Sequence, residues 1–224
     1  MKIHVAAALI AALGLAGCAS PVKVSPETSA TLRGQTVVVT ARKAPAFRLH
    51  TNSQVFLGGL LGAIGGAISD GIAVDQGSAF ATRYRLVQPS EAVASSLAQA
   101  LRTQRDMRVV SPLLAVEDGE EPDALASKAA PRARYVLDVR TAGWELSSQF
   151  GQSRYLQAVV GSLIDTQSRQ VVSQDTCRTP LPPPGVEWPK PEAMVADDAA
   201  RLRSDMKAAT DACVAQLRQS VLGL

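Results

Sequence analysis

The chain is poor in the residues that carry most enzymatic chemistry. Its 224 residues hold two histidines, His4 and His50, and three cysteines, Cys18, Cys177 and Cys213. No His/Cys/Asp cluster has metal-ligand spacing, so no metal site is expected. A Ser–His–Asp triad could only use His50, and no Gly-x-Ser-x-Gly elbow or phosphate-binding loop is present. Nothing in the chain calls for a cofactor. Aromatic residues make up 4%, too few for a base-stacking surface. Neither sign of charge dominates: 23 basic against 20 acidic residues give a formal +3, which argues against a nucleic-acid partner. No apolar run reaches the ~20 residues that a membrane-spanning helix needs.

The amino terminus is where the sequence is most specific. Lys2 and His4 make a short basic region, and residues 5–16 (VAAALIAALGLA) form an apolar run of 12 residues. Directly behind it stands Leu15-Ala16-Gly17-Cys18. Small residues before a cut are what processing segments require. This arrangement resembles the lipobox of bacterial lipoproteins. In that family the Cys sulfur receives a diacylglycerol, a dedicated peptidase cuts before the Cys, and the new amino terminus is usually acylated, often with palmitate. The resemblance implies that residues 1–17 are a removed signal peptide and that Cys18 is the lipidated first residue. The other reading is an ordinary secretory signal cleaved near Ala19. Ala19 and Ser20 follow the Cys, with no Asp to mark inner-membrane retention. The family rule then favours the outer membrane, on its periplasmic face. Each buried acyl methylene adds about 0.8 kcal/mol of anchoring, so two or more chains hold stably.

With Cys18 assigned to lipid, Cys177 and Cys213 remain. An even remainder in an oxidising compartment suggests one disulfide. The alternative is two separate buried thiols. Cys213 falls on the apolar seam of a helix and Cys177 at the end of a strand, which makes a bridge plausible.

Residues 18–34 read as the lipidated Cys and a flexible tether, and 35–224 as a single periplasmic domain. Residues 35–42 (QTVVVTAR) are β-branched and predict a strand. From Pro89 to Gln104 the pattern is helical, with Val93, Leu97 and Leu101 on one stripe widened by Ala94 and Ala98. Met107–Ser111 is a short strand. Residues 117–132 read as a loop with a helical turn near 124–129. Residues 133–148, 153–165 and 170–177 alternate and form a three-strand meander. Glu192–Leu222 is the longest helix, with Val195, Ala199, Leu202, Met206, Ala209, Cys213 and Leu217 on one seam. The order predicts an α+β fold: a mostly antiparallel five-stranded sheet, helices packed on one face, and a long C-terminal helix. Over residues 35–222 this order is similar to the small periplasmic α/β domain of the TolB amino-terminal and curli-secretion lipoprotein type.

An uncharged Gly-rich insertion at 55–69 stands apart. Gly58, Gly62 and Gly66 are spaced by four and would line one face of a helix, as in small-xxx-small packing. The run resembles the glycine-zipper segments of several envelope lipoproteins. Each glycine costs a helix about 1 kcal/mol against Ala, so a compensating contact is required. Three contacts compete: packing within this domain, insertion in or on the membrane, and self-association or docking of a partner. As a helix, residues 55–69 span only about 22 Å, short of the ~30 Å hydrocarbon core. The remaining polar groups read as ordinary. Asp197-Asp198 complements a helix dipole, and Glu117, Asp118, Glu120 and Glu121 form a solvated acidic loop, with calcium as its alternative.

The expectation is therefore a non-enzymatic outer-membrane lipoprotein, tied to the membrane by its lipid anchor. It would act by contact with an envelope protein partner, or by self-association, in an assembly or transport system. The alternative is a lipid- or amphiphile-binding auxiliary lipoprotein of an envelope transporter, in which residues 55–68 line or gate a cavity.

Overall fold

The computed structural model describes residues 21–50, 71–117, 119–179 and 186–224. Its helices are α1 (Pro26–Thr31), α2 (residues 71–83), α3 (Pro89–Gln104), α4 (Pro122–Ala129) and α5 (Pro191–Leu222). Its strands are β1 (Thr36–Arg42), β2 (Arg48–His50), β3 (Arg108–Val116), β4 (Tyr135–Gln149), β5 (Gln152–Asp165) and β6 (Gln170–Arg178).

The strands form one mixed sheet in the order β3-β1-β4-β5-β6, with β2 also paired to β4. The longest ladders are the antiparallel β4–β5 and β5–β6 pairs, which are the expected meander. The sheet has six strands, not five. The extra one is β2, whose three residues are too short to show a period. Its pairing to β4 is parallel, as are β1–β3 and β1–β4. Strand β3 also runs five residues past Ser111. It does so through a register shift around Pro112, where an edge strand tolerates proline.

The alternation of β1 explains the layers. Val37 and Val39 face α3 and α5, sharing a core with Val93, Leu97 and Leu101 of α3 and Leu217 and Val221 of α5. Val38 faces the other way, with Val136 and Ile164, and is covered by Leu125, Ala126 and Ala129 of α4. Helices therefore pack on both faces, not one. The segment read as loop with a helical turn is the helix that covers the second face. Burying each such Val or Leu side chain stabilises the fold by about 1.5–3 kcal/mol.

The seam of α5 is as expected from Ala199 to Leu217, and each of its residues over that stretch is buried. Ahead of that seam the helix is broken. Ala196 is extended, and Asp197, Asp198 and Ala199 have φ of 50°, 55° and 60°. Asp tolerates the left-handed region, but for an L-residue it costs roughly 1–2 kcal/mol each. The break brings Met194, not Val195, into a third apolar cluster with Leu202, Met206, Trp144, Tyr155 and Phe47. Phe47 anchors that cluster, edge-on to Trp144 at 5.0 Å between ring centres and stacked on Phe80 at 5.9 Å.

Residues 22–34 are not a free tether. Val22 exchanges backbone hydrogen bonds of 2.8 and 2.7 Å with Gln174 of β6. Ser25 caps α1 by accepting from the Thr28 N–H at 3.1 Å, and Leu32 is fully buried. The expected tether carries its own helix and is stitched to the domain.

Candidate functional site

Strands β1 and β4 pair only as far as Val39 opposite Leu137. Beyond that point they part, because β1 turns out through residues 43–47 before rejoining β4 as β2, with Arg48 opposite Glu145. The Trp144 indole N–H donates to the Pro45 carbonyl at 2.7 Å and holds this excursion in place. The split lies at the carboxyl end of β1, partway along β4, between helices on opposite faces, the kind of place where α/β sheets commonly form a crevice.

Arg42 fills the floor of the split. Its Nε donates to Asp138 Oδ1 at 2.6 Å and its Nη2 to Oδ2 at 3.2 Å. Nη2 also donates to the Glu120 carbonyl at 3.1 Å, and Thr40 Oγ1 donates to Asp138 Oδ1 at 2.8 Å. Both charged side chains are about nine-tenths buried (10% and 8% exposed), so the pair is a positioned, satisfied unit. Above it opens a cleft of about 780 Å³ lined by Arg42, Lys43, Pro45, Ser78, Arg140 and Thr141. Lys43 and Arg140 are exposed and have no ion-pair partner among the described residues. The cleft can attract an anion, and among the described residues that line it there is no nucleophile–base pair. A second groove of about 650 Å³ runs between α3 and the edge strand β3, with Ala94, Ala98, Val109 and Leu113 among its walls.

The sequence-predicted residues fall as follows. Cys177 and Cys213 form a disulfide with Cα atoms 5.3 Å apart. Both are buried, and Cys213 Sγ accepts from Gln157 Nε2 at 3.3 Å. Cys18, Gly58, Gly62, Gly66 and Asp118 lie outside the described residues. His50 closes β2, with its Nε2 3.5 Å from Glu145 Oε2. Asp197 and Asp198 stand in the left-handed turn of α5 rather than at its start, and Asp198 lies 3.4 Å from Arg203. In the acidic loop Glu120 is engaged by Lys128, whose hydrogen bond holds its carboxyl below the usual range. Among the described residues no group of three or more His, Cys, Asp or Glu side chains could hold a metal ion. Nor, among them, is any helix long and apolar enough to cross a membrane.

Sequence reasoning missed the Arg42–Asp138 pair. Alternation placed Asp138 and Arg140 on one face of β4, but that Asp138 is the one to meet Arg42 depends on where β1 leaves the sheet. It also missed Phe150. With Gly151 it makes the two-residue turn between β4 and β5, at φ 51°, and it is 97% exposed.

No protein-family model matches the chain, and no curated protein matches it. Solved structures are similar at low identity. The PelC dodecamer from Paraburkholderia phytofirmans is 15% identical over 85% of this chain and 89% of that chain, with a TM-score of 0.36. The LpoB C-terminal domain from Escherichia coli is 13% identical over 66% of this chain and 84% of that one, at 0.30. A lipoprotein from Neisseria meningitidis is 14% identical over 83% and 99%, at 0.30. Likeness at this level carries no assignment of activity or partner.

Proposed function

We propose that this protein is a lipid-anchored envelope lipoprotein whose folded domain works by contact with a protein partner rather than by catalysis. The observation that carries the reading is Leu15-Ala16-Gly17-Cys18 directly behind a 12-residue apolar run. The Cys177–Cys213 disulfide supports it, because such bonds persist in oxidising compartments such as the periplasm. The absence of Asp after Cys18 favours the outer membrane.

The domain offers surfaces suited to contact. The groove between α3 and β3 exposes Leu113, and the β4–β5 turn presents Phe150. The test is crosslinking in intact cells followed by purification through the domain. A defined partner or a defined oligomer supports the reading. A hydrolytic or transfer activity lost on substitution of His50 or of Asp197 and Asp198 refutes it. Amphiphile carriage is the competing reading. Its marker is lipid that survives native mass spectrometry of the delipidated domain.

A further inference from the structure

The docking of residues 22–34 sets how far the domain can stand from its anchor. We infer that the β6 edge of the domain is held against the lipid leaflet by a leash only four residues long. The β3 edge and its groove, at the other side of the sheet, are not bound by that leash and are free to stand away from the leaflet. This rests on the lipidation of Cys18 argued above.

The near end of the leash is fixed by several independent contacts. Val22 is paired to Gln174 on the outer edge of β6. The Val24 N–H donates to the Ser220 carbonyl at 3.4 Å. Arg105 Nη2 donates to Ser29 Oγ and to the Gly223 carbonyl, each at 2.6 Å, tying α1 to the carboxyl end of α5. From Cys18 to Val22 is four residues, and a fully extended chain covers at most ~3.3–3.6 Å per residue, so the reach is about 14 Å. A free tether from Cys18 to Gly34 would instead have reached about 20–25 Å on average and far more when extended.

The occupant of this edge follows from where the chain ends, which is a lipidated cysteine. Val22 is 47% exposed and Lys23 is exposed beside it, so the segment nearest the anchor carries an apolar and a cationic side chain, both compatible with a headgroup region. Across the sheet the order is β6, β5, β4, β1, β3. With strands about 4.8 Å apart, β3 lies five spacings, or roughly 24 Å, from Val22. The leash bounds Val22 alone, so the β3 edge is free to stand up to about 38 Å from the anchor, where the groove beside Leu113 is open to a partner.

The experiment uses the acylated full chain in nanodiscs whose lipids carry a nitroxide at the headgroup. A fluorophore is placed on Lys23→Cys in one variant and on Leu113→Cys in another. Both positions are exposed, and the native disulfide is untouched. Quenching at residue 23 is expected to be at least three-fold stronger than at residue 113. Inserting ten Gly/Ser residues after Ser20 should bring it down to the level at residue 113. Equal quenching at the two positions, or quenching at 23 that ignores the insertion, overturns the proposal. Acylation is read separately from the intact mass. Unmodified Cys18 refutes the anchor, whereas acylated protein with an unquenched probe at residue 23 refutes the docked leash.

Discussion

Reducing the Cys177–Cys213 bond should cost the domain a large part of its stability. The two cysteines are separated by 36 residues, and the loop they close holds the broken start of α5 and most of the third apolar cluster. The chain-entropy relation gives about 3.8 kcal/mol for a loop of this length at 25 °C. Replacing both cysteines by Ala adds a smaller term. The Gln157 amide then loses its sulfur acceptor in a buried site, for roughly 1 kcal/mol more. Reduction of the wild type keeps both sulfurs in place and isolates the loop contribution. The assay is urea unfolding followed by circular dichroism. With a slope of about 2 kcal/mol per molar urea, the midpoint should fall by about 2 M. The melting temperature should fall by roughly 8–15 °C for a domain of this size. A loss below about 1 kcal/mol in both the reduced protein and the double variant would refute the reasoning. It would mean that the unfolded chain is already held compact without the bond.

Other perturbations test other contacts. Arg42→Ala leaves Asp138 buried without its cation and should destabilise by about 3–5 kcal/mol. Arg42→Met with Asp138→Leu should recover most of that loss, and denaturant titration of the cycle measures it. Gly77→Ala should destabilise, although Ala favours helix by about 1 kcal/mol. Its Cβ would lie 2.0 Å from the Phe47 carbonyl oxygen, a backbone atom that cannot swing aside. Overpacking of that kind typically costs 1–3 kcal/mol, so a melting temperature at or above wild type would contradict the close approach. Asp165 provides a pH test. Burial raises its carboxyl, but Arg134 and the Gln167 and Ser168 N–H groups outweigh that and hold it below its ordinary value. A depressed carboxyl stabilises the fold fully above its unfolded pKa of about 3.9, and that contribution disappears as pH falls through the folded value. Asp165→Asn should therefore flatten the acid limb of the stability curve below about pH 4 and lower stability at pH 7. An unchanged acid limb would show that Asp165 contributes nothing to it.

Local pattern made much of the fold legible. The stripe of Val93, Leu97 and Leu101 places α3 at the observed Pro89–Gln104. The alternation after Tyr135 gives the meander to within two residues at each end, and the seam through Leu202, Met206 and Cys213 gives the face of α5. What local pattern hid was decided by distant contacts. Three residues of β2 carry no period, and the direction of their pairing is set by the chain excursion that Trp144 holds. Ala196–Ala199 contains no glycine to announce a left-handed turn, and the turn exists because Met194 buries beside Leu202. Polar residues and two prolines in 21–34 look like a linker. They dock because Leu32 is buried and Arg105, far along the chain, reaches Ser29. The candidate cleft was the least legible part, since Arg42 and Asp138 meet only where two strands part.

Lipidation at Cys18 would fix where this domain works. The most direct measurement is the intact mass, with fragmentation of the first peptide, of protein extracted from the membranes of its native cells. The predicted result is a chain that begins at Cys18, with a diacylglycerol on its sulfur and an acyl group on its amino nitrogen. A chain that begins after Cys18, or one that keeps residues 1–17 with an unmodified cysteine, contradicts it.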